Sequence, residues 1–170
     1  MSETPPLDPP FVVDPADPRS ADAAELMRQL THELAARYDF LYDGAGGFSP
    51  EDVLVAGSAF LIGRADGLPV ACGAFRPLEP GVAELKRIFV TPEHRGRGYG
   101  KRLIAALERE AAACGYARLR LETGDRQHES IALYERCGFR RIPNFGSYVG
   151  SGWSVCFEKT LALFSAETPR

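Results

Sequence analysis

Ile88-Phe89-Val90-Thr91-Pro92-Glu93-His94-Arg95-Gly96-Arg97-Gly98-Tyr99-Gly100-Lys101 is the stretch on which the fold turns. Its first residues are β-branched or aromatic and read as the end of a strand, which Thr91-Pro92 stops. Three glycines at alternate positions follow. Apolar residues then recur at Leu103, Ile104, Leu107, Ala111 and Cys114, the spacing of a helix with one buried face. Gly115 is placed to close that helix in a left-handed conformation. Strand, glycine-rich turn and helix in this order set main-chain N–H groups at a helix N-terminus, where they and the helix dipole favour an anion. Arg95, Arg97 and Lys101 can add charge-assisted contacts to phosphate. A plain tight turn is the other reading, because glycine enters turns freely. With no Gly-Lys-Ser/Thr the segment is not a Walker loop, and glycines two apart do not make a G-x-G-x-x-G dinucleotide fingerprint.

Upstream, Ala59 to Ile62, a turn at Asp66-Gly67 and Val70 to Phe75 read as a hairpin. A turn over Pro77 to Gly81 and a strand over Val82 to Val90 complete a meander. Ala23, Leu26, Met27, Leu30, Leu34 and Tyr38 recur at helical spacing, so a helix is expected from about Pro18 to Tyr38, with Asp22 and Glu25 resembling a capping box. Phe11 to Val13 reads as a short first strand, and Ser49-Pro50-Glu51-Asp52 as the start of a short helix. Downstream come a strand over Arg118 to Glu122, a helix over Glu129 to Cys137 stopped by Gly138, and strands over Phe139 to Ile142 and Trp153 to Leu161. The order predicts an α/β (α+β) fold: a mixed central sheet with helices on both faces. Residues 1–10 read as a flexible tail and 11–170 as a single domain.

Composition sets the function classes. A 170-residue chain that is 45% hydrophobic and 25% charged is an ordinary globular domain. A net charge of −3 argues against a nucleic-acid binder. No apolar run approaches the roughly 20 residues that span a bilayer. The start MSETPPLDPP has no signal-peptide character, so a cytoplasmic protein is expected. Locally, Lys86, Arg87, Arg95, Arg97, Lys101 and Arg102 crowd one segment, readable as a solvated mixed-sign surface or as a polyanion site. Cys72, Cys114, Cys137 and Cys156 lack zinc spacing and read as reduced core residues, and no metal is expected.

Arg95-Gly96-Arg97-Gly98-Tyr99-Gly100 resembles the Arg/Gln-x-x-Gly-x-Gly/Ala signature of the GNAT superfamily of N-acetyltransferases. Leu133-Tyr134-Glu135-Arg136-Cys137-Gly138-Phe139 is similar to that family's Leu-Tyr-x-x-x-Gly-Phe segment at the usual distance, and Ala83 to Val90 to its central strand. Two motifs at the right separation are more specific than either alone. The resemblance covers approximately residues 55 to 161. It implies a GNAT acyl-CoA N-acyltransferase fold with a splayed parallel strand pair, acetyl-CoA as co-substrate, and a possible homodimer.

The same resemblance implies residue roles. Arg95 to Lys101 grip the pyrophosphate of coenzyme A. Ile88, Phe89 and Val90 take the pantetheine arm, the backbone groups of Phe89 and Val90 pairing with it as with a short added strand. The Val90 N–H polarises the thioester carbonyl, a term worth about 3 kcal/mol per donor. Many members carry Asn where this chain has Gln127, three residues before Ser130, and both are expected at the cofactor. Tyr134 is the expected acid: a phenol of reference pKa about 10 holds its proton at neutral pH and can pass it to the departing sulfur. A core tyrosine is its other reading. Glu84 is the expected base, or else a solvated acid. Alternation puts Glu84, Lys86, Ile88 and Val90 on one strand face and Leu85, Arg87 and Phe89 on the other. Cys137 as a nucleophile is the rival route, but no His neighbours it, so direct attack in a ternary complex is preferred.

For the acceptor, Phe145, Tyr148 and Trp153 lie in an aromatic loop that either lines a pocket or packs beneath itself. Glu84, Glu122 and Asp125 could attract a cationic amine. A small-molecule primary amine is expected, in preference to a protein tail. The alternative, from another class, is a non-catalytic acyl-CoA-binding module on the same fold.

Overall fold

The computed structural model describes residues 10–162. The expected tail, 1–10, falls outside them except for its last residue. Seven strands form one sheet in the order β1-β2-β3-β4-β5-β7-β6. They are β1 Phe11–Pro15, β2 Ala59–Ala65, β3 Leu68–Glu79, β4 Val82–Val90, β5 Arg118–Gly124, β6 Arg140–Ile142 and β7 Ser154–Thr160. Neighbours are antiparallel except β4 and β5. Three helices, α1 Ala21–Arg37, α2 Tyr99–Ala113 and α3 His128–Arg136, cover the faces. The expected mixed sheet with helices on both sides is therefore present. Among the described residues no helix is long and apolar enough to cross a membrane.

The apolar stripe of α1 (Ala23, Leu26, Leu30) packs on Phe60, Ile62, Cys72 and Phe89. On the opposite face Leu103, Ile104 and Leu107 of α2 meet Leu61, Phe75 and Leu85. Tyr134 of α3 joins that second cluster between Phe139 and Phe157, each ring 6.0 Å away. Two local expectations change. Ser20, extended at φ −63° and ψ 157°, caps α1 by accepting from the Ala23 N–H at 3.2 Å. Asp22 is already inside the helix and pairs with Arg64 instead. Cys114 is exposed, because α2 ends at Ala113 and the residue that follows sits past the buried stripe.

The decisive irregularity is in β4. Between the pairs Ala74↔Lys86 and Cys72↔Phe89, β4 holds one residue more than β3. Arg87 sits in this bulge with φ +57°. Gly73 lies opposite, where a Cβ would come within 2.8 Å of Ile88 and of Leu107. The extra residue bends the strand and reverses its faces. Ala83 and Leu85 point to the α2 side and so do Ile88 and Val90, whereas Phe89 points to α1. The expected grouping of Glu84 and Lys86 with Ile88 and Val90 fails for this reason. Parallel pairing of β4 with β5 covers only Val82↔Arg118, Ala83↔Leu119 and Glu84↔Arg120, and beyond Glu84 the strands part.

The Arg87 side chain, 8% exposed, turns inward. Its guanidinium donates to the carbonyls of Gly44, Ala45 and Met27 at 3.1, 3.1 and 3.3 Å and to Thr31 Oγ1 at 2.6 Å. Arg102 donates to the Phe11 carbonyl and lies over its ring. Two of the six residues of the expected basic crowd are thus structural. Arg87→Met, which keeps the stem and deletes the donors, is expected to lower unfolding stability by about 3 kcal/mol in urea titrations, since one buried and two part-buried carbonyls and Thr31 Oγ1 lose a charged donor.

Candidate active site

Where β4 and β5 part, two adjoining hollows open that share Leu30, Leu34, Ile88 and Gln127 as walls. The larger is a cleft of about 440 Å³ between α1, the end of β4, the glycine turn and α3. Of the residues expected at the cofactor, Ile88, Phe89, Val90, Arg95, Gly96, Gly98, Tyr99, Gly100, Lys101, Gln127 and Ser130 line it. Arg97 is exposed and outside the lining, and Tyr134 belongs to the smaller hollow.

Each glycine of the turn has its own reason. Gly96 and Gly98 stand at φ +78° with open space around them, so backbone conformation requires them. Gly100 lies inside α2, where a Cβ would come 2.9 Å from Leu133, so it lets α2 approach α3. Gly98 is the N-cap of α2 and offers no side-chain cap. The first helical bond runs from the Arg102 N–H to the Gly98 carbonyl at 3.2 Å. The amides of Tyr99, Gly100 and Lys101 therefore have no partner within the helix, which is the arrangement that receives an anion. The ring of Tyr99 is occupied elsewhere, stacked on Phe11 at 4.1 Å.

At the strand end, the Thr91 N–H donates to the Val70 carbonyl at 2.8 Å. Main-chain groups alternate sides along a strand, so those of Val90 and Ile88 face the gap while those of Phe89 face β3. Phe89 thus lends the cleft its ring, not its backbone, contrary to expectation. The Val90 carbonyl already accepts from Arg95 Nε at 2.9 Å. The Arg95 guanidinium also pairs with Glu33 of α1 at 2.7 Å, and both side chains are partly exposed. Such pairs are worth about 1 kcal/mol or less. Among the lining residues Arg37, Arg95, Lys101 and Arg136 outnumber Glu33 and Glu129. A chain of net charge −3 is here locally positive.

The smaller hollow, about 90 Å³, is walled by Leu85, Lys86, Leu121, Glu122, Tyr134, Tyr42 and Trp153 among others. Tyr134 is 6% exposed, and burial pushes its phenol further above the usual range. Glu84 does not line either hollow. It is 3% exposed, paired with Arg76 at 3.0 Å, and accepts a hydrogen bond from the Tyr148 hydroxyl at 2.9 Å. That hydroxyl also accepts from Lys86 Nζ at 3.0 Å. Tyr148 and Phe145 therefore pack beneath their loop, whereas Trp153 turns to the hollow. Cys137 lines the cleft, but burial and nearby Glu108 raise its thiol pKa, opposing thiolate formation.

Residues 25–139 match the Acetyltransferase (GNAT) family. The chain belongs to this family. It is 44% identical over 103 residues, 60% of its length and 67% of the relative's, to the IAA acetyltransferase of Azospirillum brasilense. A solved Klebsiella pneumoniae structure, provisionally named an acyl-CoA N-acyltransferase, is 33% identical with a TM-score of 0.73, covering 89% of this chain and 98% of that one. A GNAT family acetyltransferase from Elizabethkingia anophelis, solved with acetyl-CoA bound, shares the fold at 15% identity and a TM-score of 0.64, covering 89% of this chain and 98% of that one. The protein is thus an acetyl-CoA-dependent N-acetyltransferase of the GNAT family, and the turn at 95–100 lies within the matched segment.

What sequence reading missed in this GNAT acetyltransferase lies on α1 and the loop after it. Glu33, Arg37, Tyr38 and Tyr42 reach the site or its rings only because α1 crosses the sheet beside the gap. The Leu30/Leu34 pair flanked by Glu33 and Arg37 was the available signal, and it reads equally as an ordinary amphipathic face. Gly98→Val forces a β-branched residue to a positive φ, which costs about 1–3 kcal/mol locally. Calorimetric titration is expected to show loss of coenzyme A binding in that variant.

Proposed function

We propose that this enzyme transfers acetyl from acetyl-CoA to a primary amine of a small molecule, by direct attack while both substrates are bound. The observation that carries the reading is the parted β4–β5 pair. It brings an inward-facing Val90 amide, a helix N-terminus built for phosphate and a separate chamber holding Tyr134 to one place. A cleft of 440 Å³ has the size of a ligand pocket, and its cationic excess suits a diphosphate. Bound there, the co-substrate supplies an activated thioester.

The chain's own groups do the rest. Arg95 exchanges its weak pair with Glu33 for phosphate oxygens, and the first-turn amides of α2 add neutral donors. The Val90 N–H, fixed by the strand, stabilises charge on the carbonyl oxygen without reorganising. Tyr134, its phenol raised further above the ordinary range by burial, holds its proton at neutral pH and gives it to the sulfur. Glu84, locked between Arg76 and Tyr148, acts as a positioning residue that fixes the loop over the chamber.

The test is a thiol-release screen with acetyl-CoA and a panel of small primary amines. Release that depends on an amine supports the reading, and coenzyme binding without release for any amine would favour a non-catalytic module. Within an active preparation, Tyr134→Phe is expected to lower kcat by about 100-fold while leaving the Kd of acetyl-CoA within twofold. Cys137→Ala is expected to keep most of the activity.

A further inference from the structure

Resting on that reading, we infer that Glu122 receives the acceptor's ammonium proton, and that the acceptor is a primary amine carried on a flat apolar body seated against Trp153 and Tyr42. The inference comes from the chamber's charges, taken one at a time. Arg87 lines it but spends its donors on three carbonyls and Thr31. Lys86 lines it but donates to the Gly46 carbonyl and the Tyr148 hydroxyl. Glu84 stands behind the wall with Arg76. Glu122 alone among the described lining residues is an acid, and its Oε1 is buried without a hydrogen-bond partner. A buried, unpartnered carboxylate oxygen in a wall facing a cavity is a site waiting for a donor. It shares that cavity with Tyr134, the proposed acid, so proton acceptor and proton donor flank one space.

The rings set the class of acceptor. Tyr42 and Trp153 have centroids 5.7 Å apart, and Tyr38 supports both from 5.6 and 5.2 Å. Trp153 remains 42% exposed at this edge of the protein. A hollow of about 90 Å³ holds the volume of roughly three waters. It takes an ammonium and the carbons next to it, leaving any larger body outside. The surface such a body meets is aromatic, which favours a ring in offset contact over a polyamine or sugar.

The step balances. The ammonium loses one proton to the Glu122 carboxylate and becomes a neutral amine. As the N–C bond forms and the C–S bond breaks, Tyr134 gives its proton to sulfur. The nitrogen's surplus proton then restores the phenol, and Glu122 releases its own to solvent. Groups close enough to act on the Glu122 charge are Glu84 and Lys86 of β4, Tyr134 of α3, Ser154 and Cys156 of β7, and Tyr38, Tyr42 and Tyr148 of the loops. Burial, helped by Glu84, raises its carboxyl above the ordinary 4.5, while Ser154 and Lys86 work the other way. Activity needs the carboxylate, so it must fall as pH drops through that raised value.

Trp153 is the chain's single tryptophan, so its fluorescence reports the chamber. Enzyme saturated with coenzyme A is titrated with 2-phenylethylamine and, separately, with spermidine. A saturable response to the first at least tenfold tighter than to the second is expected, weakening as pH falls through the Glu122 carboxyl. Glu122→Gln should weaken it tenfold or more, and lower kcat with 2-phenylethylamine by about 100-fold with loss of the acid limb of the pH profile. Glu84→Gln should retain that limb whatever its rate. No Trp153 response, spermidine binding as tightly, or an acid limb that survives in Glu122→Gln overturns the inference. If wild-type enzyme still binds coenzyme A and releases thiol with other amines, the proposed function stands without it. Loss of both would remove the function as well.

Discussion

Strand β4 cannot satisfy both of its neighbours, and the rest of the molecule follows from that. It stays with β3 across the Arg87 bulge and leaves β5 after Glu84. Left alone, a non-glycine residue at φ +57° and an opened sheet would both be unfavourable. The same residue supplies the compensation, because its guanidinium is sunk among carbonyls of α1 and the 44–45 loop. The bulge also exchanges the faces of the strand's last residues. Ile88 and Val90 thereby reach the side of α2, where the glycine turn begins.

The two hollows use charge in opposite ways. In the cleft, Arg37 and Arg95 sit partly exposed in pairs with Glu33 and Glu129 worth about 1 kcal/mol or less, which a phosphate can replace with little loss. In the chamber Lys86 and Arg87 are committed to acceptors of the chain itself, and one carboxylate has an oxygen to spare. On the proposed reading a polyanion is therefore drawn to the first and a cationic amine to the second.

The sequence carried the strands, the helices and the phosphate turn because each is a local matter. Periodicity marked α2 and β4 within a residue, and the alternate glycines marked the turn. What it could not carry are consequences of one extra residue in a ladder. Strict alternation assigned Lys86 and Ile88 to one face, and only the pairing of Lys86 with Ala74 and of Phe89 with Cys72 reveals the inserted position. Arg87 read as part of a basic surface for the same reason: nothing in its neighbours says that a helix 60 residues away takes its donors. Glu122 and Glu84 are equally plain acids in strands by sequence. Their difference is which side of the gap each faces and who else is there.

That difference also bears on the route of transfer. A covalent relay through Cys137 would need a thiolate, and the environment opposes one by burial and by the nearby Glu108. Burial likewise raises the Tyr134 phenol and the Glu122 carboxyl and lowers the Lys86 ammonium, each a shift toward the uncharged form. A space that disfavours charge helps an arriving ammonium give up its proton, provided a carboxylate within reach takes it. On the proposed reading, the neutral amine then meets a carbonyl polarised by a main-chain donor that neither titrates nor has to move. On that reading direct attack needs no covalent relay, and an ammonium with its adjoining carbons seated in a hollow of about 90 Å³ displaces the water that would compete for the thioester.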